Sequence, residues 1–141
     1  MSPQPTFIDH VLEHFAFLTD EFGFALRAPS LREALGMVHY ERPPVTVDIG
    51  WYKGEVSVVV TAMAHTTILR PGRSKAFSLE EIAGHLDATA LKEAPQFPGH
   101  ITKVEEADRR LAFDASLLRK YGADILQGDL KILEAISLKR K

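Results

Sequence analysis

The sequence predicts an α+β fold: an antiparallel three- to four-stranded meander with an N-terminal helix and three to four C-terminal helices packed on one face. Three observations carry this reading. Apolar residues recur at helical spacing through the first 22 residues. An alternating extended segment then brackets Lys53-Gly54, and helical periodicity returns after Ser78 and runs to the C-terminal end.

In the first segment Ile8, Val11, Leu12, Phe15, Leu18 and Phe22 share one stripe, Thr6 stands as an N-cap with Asp9 three residues on, and Gly23 occupies a left-handed stop. One helix over residues 7–22 is expected. Residues 24–36 read as irregular, with a single helical turn at 30–35.

The strongest pattern is the hairpin. Val45, Val47, Ile49 and Trp51 alternate with Thr46, Asp48 and Gly50, and a second extended run follows from Glu55 to about Met63. With Lys53-Gly54 as a two-residue turn, Trp51 pairs with Val56, Ile49 with Val58, Val47 with Val60 and Val45 with Ala62. A slip of one residue would bury Asp48 and Thr46, so the pattern and the turn select the same register. Residues 37–41 form a preceding strand joined through Arg42-Pro43-Pro44, and residues 66–69 extend the sheet or add a fourth strand before a type II turn at Arg70-Pro71-Gly72-Arg73.

Ser78-Leu79-Glu80-Glu81 has capping-box spacing, with Leu79, Ile82, Ala83 and Leu86 as the stripe behind it. After a proline-rich loop at 94–100, Ile101, Val104, Ala107, Leu111, Ala115 and Leu118 define a long helix ending at Tyr121-Gly122, and Phe113, Leu117 and Tyr121 give it a second apolar side. Gly128-Asp129 reads as a stop followed by an N-cap, opening a last helix with Leu130, Leu133 and Ile136.

With 141 residues the chain suits a single α+β domain over 1–141, and 45% hydrophobic with 26% charged residues is too apolar for disorder. Seventeen basic and nineteen acidic residues give a formal charge of -2, which offers no global field for nucleic acid or an anionic membrane. Without cysteine there is no disulfide scaffold, thiol catalysis or thiolate metal site. The first residues lack the basic and apolar regions of a secretory signal, and no apolar run approaches the ~20 residues that cross a bilayer. A cytoplasmic location is the expectation.

Several clusters could carry chemistry. His10-Val11-Leu12-Glu13-His14 matches the H-x-x-E-H pattern in which two histidines one turn apart hold zinc beside a glutamate base. His10 and His14 lie on the flank away from the apolar stripe, so a solvated helix face is expected, with His10, Glu13 and His14 as candidate ligands only. Phe17 projects from that flank as a lone exposed aromatic, an interaction candidate. On the second face of the hairpin Asp48 neighbours Val59, with Tyr52 and Met63 further along, and His39 projects there from the preceding strand. A His39–Asp48 pair suits acid/base work or ligand binding, while the same face unpaired is simply wet. Arg70, Arg73 and Lys75 form an anion-binding candidate around one turn, and Lys139-Arg140-Lys141 is a basic end; no aromatics interleave with either, which disfavours single-stranded nucleic acid. Asp108 falls inside the apolar stripe of the long helix, so a cation or backbone amides should stand near it. Glycine loops for phosphate and nucleophile-elbow motifs are missing, and no cofactor is expected.

Phe15-x-x-Leu18-x-x-x-Phe22-Gly23-Phe24, the valine-rich hairpin, Ser78-Leu79-Glu80-Glu81-Ile82 and the stretch from Tyr121-Gly122-Ala123-Asp124 to Gly128-Asp129 resemble small uncharacterised bacterial α+β proteins, some similar to immunity proteins of polymorphic toxin systems. The resemblance implies a bacterial, non-enzymatic protein-interaction domain, immunity-like, that works by binding another protein. It carries over no functional residue. The alternative is a small enzyme or ligand-binding domain using the His39/Asp48 face. Homodimerisation through sheet edges is a further expectation.

Overall fold

The computed structural model describes residues 6–26, 37–52, 54–62, 76–92 and 100–139. Its elements are α1 (Phe7–His14), α2 (Ala16–Asp20), β1 (Ala25–Leu26), β2 (Met37–Arg42), β3 (Val45–Tyr52), β4 (Glu55–Ala62), β5 (Ala76–Ser78), α3 (Leu79–Leu86), α4 (Val104–Tyr121), α5 (Ala123–Leu126) and α6 (Lys131–Lys139). The five strands form one antiparallel sheet in chain order.

The β3–β4 register follows from the alternation: Val45 faces Ala62, Val47 faces Val60, Ile49 faces Val58 and Trp51 faces Val56. All eight of these residues are buried, and Val38, Tyr40 and Phe77 join them from β2 and β5. On this face α1 packs against β2, and α3 and α4 against β4; the Phe7 ring lies 5.6 Å from that of Trp51. Ala107, Leu111 and Leu118 of α4 are fully buried. The sheet is therefore apolar on one side and polar on the other, as an antiparallel sheet with a single helical layer requires.

Capping sets the helix starts. The Thr6 hydroxyl accepts from Asp9 N and the Asp9 carboxylate accepts from Thr6 N, a reciprocal capping box. Ser78 Oγ accepts from Glu81 N at the start of α3, and Asp129 Oδ1 accepts from Lys131 N at the start of α6, after Gly128 with φ of +98°. Gly23, at φ of +71°, ends the first helical segment.

The turn between β3 and β4 is held from outside. Ile101 N donates to Gly54 O at 2.9 Å, and Trp51 Nε1 donates to Ile101 O at 3.1 Å. Gly54 is required twice over: its φ is +81°, and a Cβ there would lie 2.2 Å from His100 Cβ.

Several expectations are corrected. The sheet has five strands where three to four were expected, because β1 and β5 span two and three residues, too short to show a period. The single helix over 7–22 is two helices, broken at Phe15, whose φ and ψ are -104° and 15°. In an unbroken helix Phe15 and Phe17 would point to nearly opposite sides; the break lets both face the core. Phe17 is accordingly buried, stacked on Phe15 at 6.0 Å and edge-on to Phe22 at 6.1 Å, with the Arg119 guanidinium 5.7 Å from its ring. It is no exposed anchor. The turn expected at 30–35, the strand at 66–69, the turn at 70–73 and most of the loop at 94–100 lie outside the described residues.

Two stability measurements test this packing. Gly54→Ala is expected to cost about 2 kcal/mol in urea denaturation through the left-handed backbone and the His100 overlap, and adding His100→Gly should restore only the overlap part. Ser137, on α6, is buried with no hydrogen-bond partner for its hydroxyl among the described residues. Ser137→Ala should raise the unfolding free energy by about 1 kcal/mol, since it removes an unsatisfied buried group.

Candidate functional site

The sheet face turned away from the helices is built by the residues that alternate with the core. β2 contributes Met37, His39 and Glu41; β3 contributes Thr46, Asp48 and Gly50; β4 contributes Glu55, Ser57, Val59 and Thr61. His39 and Asp48 stand directly opposite in the β2–β3 register, and Asp48 is in turn opposite Val59. His39 Nδ1 lies 2.5 Å from Asp48 Oδ1, and His39 Nε2 lies 3.8 Å from Glu41 Oε1. One imidazole thus sits between two carboxylates, with about a third of its side chain open to solvent. Tyr52 ends β3 opposite Glu55, and Met37 is half exposed. Met63, Arg70, Arg73 and Lys75 lie outside the described residues.

A second constellation joins the first helix to the long one. His10 and His14, one turn apart on α1, meet Asp108 of α4: His10 Nδ1 is 2.8 Å and His14 Nε2 is 2.6 Å from the same oxygen, Asp108 Oδ1. An ionised carboxylate only accepts, so each of those ring nitrogens carries the hydrogen. All three residues are half-buried. The solvated flank expected for His10 and His14 is thus a covered seam, and the partner expected for Asp108 is a histidine pair in place of Arg, Lys or backbone amides. Glu13 is exposed and stands outside the group.

Elsewhere in the helical layer, Asp114 is 1% exposed, and both its oxygens accept from Arg110 Nε at 3.1 and 3.3 Å, while Arg110 Nη2 donates to Glu80 Oε1 at 2.7 Å. Burial pushes the Asp114 carboxyl up to about 7; Arg110 pulls the other way, and the Glu80 charge adds to the rise. A surface cleft of about 540 Å³ opens beside Asp87, Thr89, Lys92, Lys120 and Tyr121. Asp87 is held down at about 2, chiefly by the Tyr121 hydroxyl that donates to it at 2.7 Å and then by Thr89. That carboxylate is occupied with its own wall.

No protein-family model, curated protein or solved structure matches the chain. The site is therefore read from its own chemistry. Sequence reasoning found both histidine groups but missed two partnerships. Asp108 is 94 residues from His14, and only the α1–α4 packing joins them. Asp114, four residues after Arg110, has the spacing of an exposed helix pair, and its burial follows from α4 being covered on two sides.

The raised Asp114 carboxyl has a defined sign in stability. Between its ordinary value near 4 and about 7 the folded chain holds a proton that the unfolded chain has released, so this residue's contribution falls as pH rises through that window and is level above it. Relative to wild type, Asp114→Asn should gain urea resistance between pH 5 and pH 8; an unchanged difference would show that Asp114 ionises normally.

Proposed function

We propose that this protein is a non-enzymatic binding protein of bacterial type, immunity-like, that docks a basic surface of a partner protein on the outward face of its sheet. The observation that carries this is the acid among the described residues of that face. A chain of formal charge -2 gathers Glu41, Asp48 and Glu55 on three neighbouring strands there, against His39 as the one basic-capable residue described on it. Around them Met37, Val59, Thr46 and Thr61 supply apolar and hydroxyl contact at a partly exposed surface. Rigid strands hold these groups at fixed spacing, which suits specific recognition, and acidic surface facing basic surface accelerates encounter. In the immunity-like reading the partner is a toxin whose working surface is masked.

A second reading, a small enzyme or ligand-binding site, is favoured by the 2.5 Å contact between His39 and Asp48, a pair able to move a proton. Among the described residues the imidazole meets two carboxylates and no hydroxyl nucleophile, and the 540 Å³ cleft lies at other residues. Binding is the better-supported use of the face.

Affinity capture from a lysate of the source organism tests the proposal. One stoichiometric protein should be retained by wild type and by Lys131→Glu on α6, and lost at least tenfold with Asp48→Lys; its retention should weaken as salt is raised. Absence of any stoichiometric partner, or one indifferent to Asp48→Lys, sinks the reading.

A further inference from the structure

We propose that His10, His14 and Asp108 form a binding site for a divalent first-row transition metal ion, zinc above all, that links α1 to α4. The ligand atoms already converge: His10 Nδ1, His14 Nε2 and a carboxylate oxygen of Asp108 lie within 4.8 Å of one another. Helical geometry explains the first two, since residues at i and i+4 stand one above the other on a helix face. The third arrives through the packing of α1 on α4.

The apo contacts are hydrogen-bond lengths, 2.8 and 2.6 Å, whereas ligand atoms around a tetrahedral zinc with bonds of about 2.0–2.1 Å stand roughly 3.3 Å apart. Opening of the two contacts by about 0.5 and 0.7 Å brings them to that spacing. The side chains have room for it, being 19%, 24% and 35% exposed, and that same exposure supplies an entry path and a water for the fourth position. In the tautomer that carries its hydrogen on the far ring nitrogen, each imidazole turns a lone pair toward the centre and can ligate the ion.

The donor set selects the ion. Two imidazoles and one carboxylate suit zinc, cobalt or nickel; magnesium and calcium call for oxygen shells that three such ligands do not provide. Glu13, the base of the H-x-x-E-H pattern, is exposed on another side of the helix, so the site takes a metal without the peptidase arrangement. It belongs to the helical layer, apart from the outward sheet face, and does not depend on the binding proposal.

Calorimetric titration of the full chain, its purification tag removed, with zinc chloride at pH 7 decides the question. One equivalent should bind, with a rise in melting temperature, because the ion binds the folded chain in preference to the unfolded one. Magnesium and calcium should give no heat. Asp108→Asn and His14→Gln, which keep size and hydrogen-bonding capacity, should each weaken zinc at least tenfold, while His85→Gln on α3 should leave it unchanged. Cobalt provides a second readout, with the visible bands of a four-coordinate site in wild type and their loss in Asp108→Asn. Failure of wild type to bind zinc saturably, or affinity that survives both Asp108→Asn and His14→Gln, overturns the assignment.

Discussion

The β3–β4 pairing is the constraint on which the remaining structure depends. Its four apolar cross-strand pairs each contribute about 0.2–1 kcal/mol beyond what alanine pairs would give, and they lie on the face that the helices cover. β2 and β5 add to this ribbon on either side. Residues that follow α3 return to close the ribbon's end, where the indole of Trp51 and the carbonyl of Gly54 are both bound by Ile101. Sliding the pairing by one residue would break the apolar face and that clasp together.

The same alternation writes the polar face. Once Val47 and Ile49 are committed inward, Asp48 has only the outward side, and the β2–β3 register sets His39 across from it. Proximity of the imidazole and the carboxylate is thus a by-product of packing on the other side of the sheet. The helical layer behaves differently: its polar contacts lie along seams between helices. Asp108 joins α4 to α1, Arg110 joins it to α3, and Arg119 reaches Glu21 just beyond α2. The last pair is largely exposed and contributes little. The first two are half-covered and orient the elements they connect.

What could be read from the sequence follows from the range of the forces involved. Local devices were legible: the caps at Thr6 and Ser78, the stop at Gly23, the hairpin turn, and the alternation that sets its register. Each is decided by residues a few positions apart. The break at Phe15 was hidden because its cause lies outside the helix, in a core that takes both Phe15 and Phe17. The convergence of His10 and His14 on Asp108 was hidden for the same reason. A periodicity argument identifies a helix flank but not the neighbour that covers it. β1 and β5 escaped because short edge strands owe their existence to the strand they pair with, not to a pattern of their own.

The order of the sheet has a kinetic side. Each strand pairs with its neighbour in the chain, so the meander assembles from contacts of short sequence separation, the kind that form quickly. The meeting of α1 with α4 is of another sort, since 94 residues separate His14 from Asp108. Loop-closure entropy for that contact is least when the intervening sheet has already drawn the chain together. On this topology the sheet rests on neighbour-to-neighbour pairings, whereas the histidine–aspartate seam ties together residues that only the intervening sheet brings near.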